Sequence, residues 1–409
     1  MIIFKAMRLL IKLILSCLFL PVWWLCGLFP RNKKLWIFSA WFGQKYSDNS
    51  RAMFEYVLKN HPEINCVWIT KDKTLVAKLI AQNKNAVYSK SLKCMLLTLR
   101  ASTLFTTTGG EFFYGFCNGI KHYALWHGMP LKKILYDDSF SGQIKKSKIG
   151  RVINDISVAL NKNLFQWRSF HYLPNTYTIT NSSFFRPFLK SAFLFDDSKI
   201  LNTGSPRLDV LFNSRAEPFL ENIRKKFPDS KIILYMPTFR TGAWTKEPFD
   251  PFNEKYGFDA EKFELTLENQ RNVVLYKPHF YDATLLHHRN GNSRFLMISD
   301  NDFDELYNFV AQVDVLITDY SSIYFDFIVT RKPVILAPFD LEEYLQTARG
   351  HYFDYNTEIE GVKAHNWNEL LEILENENYA PVSDEKIKQF AEFVDGKSAE
   401  KIFKLGVKK

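Results

Sequence analysis

Short apolar runs alternate with amphipathic stretches along most of this chain. From Leu35 the pattern predicts strands at Leu35–Ala40, Cys66–Ile69, Ala86–Tyr88, Thr103–Thr106 and His122–Trp126. Apolar positions at helical spacing predict helices between them, over Arg51–Lys59, Thr74–Gln82 and Leu92–Leu99. A polar helical stretch follows at Ser147–Ser169, then a strand at Tyr177–Thr180. A second alternating set begins near Lys199. Its expected strands are Ile200–Asn202, Ile232–Tyr235, Val273–Tyr276, Phe295–Ile298, Val315–Thr318 and Val334–Leu336, with a helix at Phe303–Ala311. Strands that are apolar throughout, separated by amphipathic helices, imply parallel sheets covered on both faces. The expected fold class is α/β, as two successive doubly wound, Rossmann-like domains with a cleft between them. After Asn366 the pattern gives two or three helices and a basic tail. The chain shows no internal repeat and no low-complexity tract.

Asp314–Asp340 is the most compact unit of this pattern. The strand Val315–Thr318 runs into Asp319, then Ser321 and Ser322 at the expected start of a short helix, and Pro333 introduces the next strand. Such a turn aims hydroxyls and N–H groups at the carboxyl edge of a sheet, where phosphate binds well. The same residues also suit an ordinary capped crossover. No phosphate-binding G-x-x-x-x-G-K-[ST] loop is present.

The first 30 residues stand apart. Lys5, Arg8 and Lys12 precede 17 uncharged residues, Leu13 to Phe29, which contain Trp23, Trp24 and Pro21. No small-x-small cleavage site marks a signal peptide. The run is at the short limit for a spanning helix, and Pro21 interrupts it. Basic residues beside paired tryptophans fit an interfacial anchor. The expected organisation is therefore a membrane-associating segment (1–30), an N-terminal α/β domain (31–190), a second α/β domain (191–385) and C-terminal helices (386–409).

Composition narrows the partners. The 409 residues carry a net charge of +9 with a pI near 9.0. That favours anionic partners, either a phosphorylated substrate or an anionic membrane surface. The basic residues are dispersed and no nucleic-acid-binding motif appears, so nucleic acid is not expected. Cys17, Cys26, Cys66, Cys94 and Cys117 are odd in number and lack C-x-x-C spacing. They read as reduced packing residues of a cytosolic protein, and no zinc site is expected.

Several strand ends carry polar groups. His127, followed by Gly128, comes directly after a strand and is a candidate general base, since imidazole titrates near neutrality. A loop histidine satisfied by its neighbours would look the same. Lys277 and His279 end a strand in the second set. Thr238 and Arg240 end another, with a hydroxyl and a guanidinium suited to phosphate. Ser205 and Arg207 form a further candidate end. Asp319 is the best lone carboxylate, in a turn or behind the phosphates. No acidic cluster has metal-ligand spacing, so no metal is expected. The loop Thr241–Tyr256 is expected to overhang the site.

Eight stretches, in order over residues 35 to 400, resemble one family. They are Tyr46-Ser47-Asp48-Asn49, Trp126-His127-Gly128-Met129-Pro130-Leu131-Lys132-Lys133 and Thr203-Gly204-Ser205-Pro206-Arg207-Leu208-Asp209. Then come Met236-Pro237-Thr238-Phe239-Arg240, Lys277-Pro278-His279, Thr318-Asp319-Tyr320-Ser321-Ser322, Arg349-Gly350-His351-Tyr352-Phe353-Asp354 and Asp395-Gly396-Lys397-Ser398. The set resembles the CDP-glycerol glycerophosphotransferases, which include teichoic-acid primases and polymerases and related capsule polymerases. Met129 departs from the pattern, where threonine is more usual.

The resemblance implies a GT-B-like fold and a peripheral or monotopic enzyme on the cytoplasmic face of the membrane. It implies transfer of an alditol phosphate from CDP-glycerol or CDP-ribitol to a glycan, polymer or lipid-linked acceptor. CMP is released, and no cofactor beyond the substrates is needed. The resemblance also implies an acceptor side for the first α/β domain (31–190) and donor binding for the second (191–385). By motif, His127 resembles the base and His279 a catalytic group near the donor phosphates. Thr238, Arg240, Ser321, Ser322 and Asp319 then resemble the phosphate-binding set, with Lys277, Ser205 and Arg207 as further candidates. Two other readings remain open. One is a nucleotide-sugar glycosyltransferase of the same fold, and the other is a non-catalytic membrane-bound binding protein.

Overall fold

The structure is a computed structural model and describes residues 2–138, 148–238, 240, 249–278, 293–347 and 350–407. Among the described residues, thirteen strands form two sheets in which every strand pairing is parallel. The first sheet comprises β1 (Asn32–Phe38), β2 (Asn65–Thr70), β3 (Ala86–Tyr88), β4 (Ala101–Thr106), β5 (Lys121–Ala124), β6 (Thr176–Thr180) and β7 (Ile200–Asn202). Its order is β3-β2-β1-β4-β5-β6-β7. The second comprises β8 (Lys231–Tyr235), β9 (Asn272–Tyr276), β10 (Phe295–Met297), β11 (Val315–Thr318), β12 (Val334–Leu336) and β13 (Val362–Lys363), in the order β10-β9-β8-β11-β12-β13. The central strands bury both faces. Ile37, Phe38, Leu104, Ile233, Leu234, Leu275 and Leu316 are fully enclosed, as near-continuous apolar runs require.

In each sheet the strand order reverses once, between β1 and β4 and between β8 and β11. In open α/β sheets ligands bind beyond the carboxyl ends of the strands at such reversal points. Trp41 follows β1, and the serine pair follows β11, so both reversal points carry polar or aromatic side chains.

Two expectations for the second alternating set need correction. The strand Ile200–Asn202 does not open the second set. It pairs with β6 through Thr178–Ile200, Ile179–Leu201 and Thr180–Asn202, and closes the first sheet. A three-residue apolar run announces a strand but says nothing about its partner. The expected helix Phe303–Ala311 is shorter, Leu306–Val310, because Glu305 caps it by accepting the Asn308 N–H at 2.7 Å.

The last helix, Ser398–Val407, returns to the first sheet. Phe403 lies 5.2 Å from the Trp36 ring, and Ile402 is fully buried beside it. Asp209 fixes the start of this helix by accepting the N–H groups of Ser398 (2.9 Å) and Ala399 (2.8 Å). A carboxylate at a helix N-terminus satisfies orphan donors and complements the dipole. The motifs Thr203–Asp209 and Asp395–Ser398 therefore meet each other, and their contact is structural.

The N-terminal helix α1 (Ile2–Gly27) runs through Pro21 instead of stopping there. One face is docked: Phe19 meets Phe113, Phe116 and Trp167 edge-on, and Trp23 is buried against Trp167. Arg31 secures the exit by donating to the carbonyls of Thr98 (2.6 Å) and Ala101 (3.2 Å). The other face leaves Leu18, Trp24 and Leu25 at 70%, 60% and 58% exposure. Among the described residues, no helix is long and apolar enough to cross a membrane.

Candidate active site

A cleft of about 1720 Å³ separates the two sheets' carboxyl edges. Of the candidates named from sequence, His127, Arg207, Lys277, Ser321 and Ser322 line it. Thr238, Arg240, Asp319 and Ser205 do not. His279 lies outside the described residues, as do 241–248 of the loop expected to overhang the site.

His127 owes its position to an abrupt end of β5. The expected strand reached Trp126, but β5 stops at Ala124 because Trp126 takes a left-handed φ of 55°. A bulky residue in that region is strained and persists only where its surroundings over-determine it. Here Asn49 does so. Its buried side-chain amide donates to the carbonyls of Leu125 (3.2 Å) and Trp126 (2.9 Å), and its Oδ1 accepts the Arg207 N–H at 3.1 Å. Gly128 then passes close to the opposite half. With φ at 150°, a Cβ there would lie 2.9 Å from Ser322 Oγ and 3.3 Å from Arg207 Nη2. The histidine loop and the serine turn are thus in contact. The imidazole, half-buried, has its ring centre 4.2 Å from that of Trp126 and 5.5 Å from that of Trp41. Met129, the departure from the family pattern, is buried, and its sulfur accepts from the Asn181 N–H at 3.5 Å.

Arg207 is engaged through both terminal guanidinium nitrogens. Its guanidinium bridges Asp48 (3.0 Å) in helix α2 (Asp48–Asn60) to Asp326 (2.7 Å) in the helix Ile323–Phe327, tying the halves together. Burial opposes its charge, but Asp326 and Asp48 outweigh that and hold its pKa above the ordinary value. Tyr307 donates a further bond to Asp326 at 2.8 Å. Arg207 is therefore a tie at the floor of the cleft, where a phosphate ligand had been one expectation.

The same holds for Arg240. Only 3% of its side chain is exposed, and it pairs with Asp319 (2.7 Å) and Asp340 (2.6 Å) under the Phe249 ring. Thr238 donates its N–H to both Asp319 oxygens, at 2.8 and 3.1 Å. These three residues brace the turn that carries the serines from behind. Ser205 is also internal, donating to Asn181 Oδ1 at 2.7 Å. Ser321 and Ser322 do face the cleft, and the Ser322 hydroxyl makes no capping bond. The helix they precede has only five residues.

On the far wall Lys277 pairs with Asp300 at 2.8 Å, and Lys45 reaches the same carboxylate from the first half at 2.7 Å. Burial pushes the Asp300 carboxyl up, but the two ammonium groups prevail and hold it at about 2. Arg51 makes a third cross-cleft tie, to the Asp304 carboxylate (2.6 Å) and carbonyl (2.7 Å). Glu305 also lines the cleft. Burial raises its carboxyl to about 7, against the pull of the Asn308 N–H and of Arg51. The segment 350–352 adds a backbone tie to the chain after His127: Lys133 donates to the Gly350 carbonyl at 2.8 Å, and Tyr352 to that of Leu131 at 2.9 Å. Among the described residues, no group of three or more His, Cys, Asp or Glu is placed to hold a metal ion.

The sequence reading missed Asn49, Asp48, Asp326 and Glu305 as parts of the site. A signal for the first two existed, because Tyr46–Asn49 is one of the matched stretches. Asp326 and Glu305 stand in helical patterns that look ordinary. Chemically, the cleft offers an imidazole on one wall and hydroxyls on the other, with an ammonium nearby. That arrangement suits removal of a proton from a hydroxyl beside a phosphorylated group.

Comparison with known proteins agrees in family and fold. Residues 25–407 match the sequence profile of the CDP-glycerol:poly(glycerophosphate) glycerophosphotransferases. The teichoic acid glycerol-phosphate transferase of Staphylococcus aureus is 28% identical over 383 residues, covering 91% of this chain and 92% of the relative. The teichoic acid poly(glycerol phosphate) polymerase of Bacillus spizizenii is 26% identical over 373 residues, covering 89% and 88%. The teichoic acid ribitol-phosphate polymerase TarL of S. aureus is 31% identical over 227 residues, 53% of this chain and 38% of TarL. The solved structure of the wall teichoic acid polymerase TagF superimposes with a TM-score of 0.68 at 23% identity, over 92% of this chain and 89% of that one. The fold, two parallel α/β sheets facing a cleft, is therefore GT-B-like, as TagF's is.

Proposed function

The chain belongs to the CDP-glycerol:poly(glycerophosphate) glycerophosphotransferase family, and from that premise we propose that it transfers glycerol phosphate from CDP-glycerol to a hydroxyl of a cell-surface polymer or its precursor. The observation that carries the reading is the contact between the His127 loop and the Ser321–Ser322 turn, which would set a base beside a phosphate. In this reading His127 takes the acceptor's proton as its oxygen attacks the β-phosphorus. The bond from that phosphorus to the bridging oxygen breaks, and CMP leaves with the electron pair. Ser321, Ser322 and Lys277 would neutralise charge on the diphosphate, since such transfer depends on positioning and electrostatics. No cofactor enters this scheme. The acceptor side is assigned to the first sheet and the donor side to the second.

Incubation with CDP-glycerol, CDP-ribitol and UDP-sugars, plus a soluble glycerol-phosphate oligomer as acceptor, tests this. CMP release with CDP-glycerol is expected. Release of UDP alone would overturn the reading in favour of a glycosyltransferase. Preference for CDP-ribitol would move the assignment to the ribitol branch, which the similarity to TarL makes a real alternative.

The exposed face of α1 supports peripheral attachment to an anionic membrane surface, as the family's work on cell-surface polymers would require. Placing Leu18, Trp24 and Leu25 in the interface removes apolar surface from water at about 25 cal/mol per Å². Changing all three to Glu should therefore abolish co-sedimentation with phosphatidylglycerol vesicles. The packed face, with Phe19 and Trp23, would stay intact. Unchanged sedimentation of this variant would place the membrane contact elsewhere.

A further inference from the structure

We infer that Trp41 is a positioning residue for the transfer reaction, holding the His127 imidazole in its working orientation. This rests on His127 being the base. Trp41 sits just past β1, at the reversal point of the first sheet. It and Phe42 have φ of 45° and 56°, two consecutive left-handed residues without a glycine. The neighbouring chain enforces this turn. The Trp41 N–H donates to Thr107 Oγ1 (3.1 Å), and the Phe42 N–H donates to Thr108 Oγ1 (2.8 Å). Gly43 leaves no room for adjustment, because a Cβ there would lie 2.3 Å from the Glu111 carbonyl oxygen.

This constrained backbone aims the indole at the histidine. Its N–H donates to Asp48 Oδ2 at 3.1 Å, and Asp48 is itself held by Arg207 at 3.0 Å. The ring is thereby locked in the plane that meets His127 at 5.5 Å and 45°. Trp126 contacts the same imidazole at 4.2 Å and 38°. Contact with two indoles restricts rotation of the imidazole. It also favours the cation that forms when His127 accepts a proton, because indole rings attract cations. The effect belongs to the transition state and not to donor binding, since the donor ligands lie across the cleft. The charge network Asp48–Arg207–Asp326 thus reaches the base through one indole.

The test is steady-state kinetics with CDP-glycerol and a soluble glycerol-phosphate oligomer. Trp41→Leu should lower kcat about tenfold while KM for CDP-glycerol changes by less than about twofold. Trp41→Phe keeps a ring against the imidazole and should recover most of the loss. In a His127→Ala background, Trp41→Leu should cost less than about a further twofold, because its effect passes through the histidine. An equal loss in both backgrounds, or a rise in KM with kcat intact, would overturn the inference. A His127→Ala protein with normal turnover would instead remove the underlying reading of the base, so the two failures are distinct. Thermal unfolding of each variant identifies a folding defect, and Trp41→Met, which also lacks a ring, takes the place of the leucine variant if that one is unstable.

Discussion

Replacing His127 with alanine should lower transfer by roughly 10²–10⁴-fold, the range for losing a positioned general base. An alditol hydroxyl is a poor nucleophile at neutral pH, so its proton must leave as the new bond forms. His127 is the cleft-lining histidine on the first half, and its loop touches the serine turn at Gly128. Donor affinity should stay near normal, because the hydroxyls and Lys277 belong to the second half. In the intact protein, turnover should show an acid limb, because a general base acts only in its unprotonated form. That acid limb alone cannot identify the base, since burial raises the Glu305 carboxyl in the same cleft to about 7. The pair of variants separates them. His127→Ala should lose both the rate and the limb, whereas Glu305→Gln should keep the limb. A folded His127→Ala protein with near wild-type turnover would make Glu305 the next base to examine.

The elements of this cleft were largely legible in the sequence, and their pairing was not. Buried parallel strands announce themselves as apolar runs, so β8, β9, β11 and β12 fall where the pattern puts them. A histidine after such a run reads as a site residue because strand ends carry ligands. Ion pairing has no such local signature. Arg240 looks like a phosphate ligand at a strand end, yet it is spent on Asp340, 100 residues away in sequence, and on Asp319. Arg207 likewise finds Asp48 and Asp326 only in the folded chain. Asn49 also required three dimensions, since its task is to hold carbonyls at Leu125 and Trp126. The left-handed turn at Trp41–Phe42 carries no glycine to announce it except Gly43, and its cause lies in the Thr107–Glu111 loop. Several matched motifs thus mark ties between the halves, and a motif match alone does not separate a tie from a ligand.

Arg207→Met should both destabilise the protein and inactivate it. The guanidinium lies between two buried carboxylates, with Asp48 and Asp326 at 8% and 1% exposure. Removing it leaves two enclosed negative charges without their counter-ion, a change that costs roughly 3–5 kcal/mol for a buried pair. Methionine fills much of the volume, so the loss reports charge and not a cavity. The consequence reaches the chemistry by two routes. Asp48 anchors the Trp41 indole, and the Arg207 backbone is held by Asn49, which also fixes the end of β5. Arg207→Lys should not restore either property, because an ammonium cannot span both carboxylates as a planar fork does. His127→Ala, by contrast, should leave the denaturation midpoint almost unchanged while lowering turnover by roughly 10²–10⁴-fold. Denaturant unfolding of the two variants side by side measures this contrast. If Arg207→Met unfolds at the wild-type midpoint and still transfers glycerol phosphate, then the cleft does not depend on this tie, and the remaining links, Arg51 to Asp304 and Lys45 to Asp300, must hold the two sheets in register.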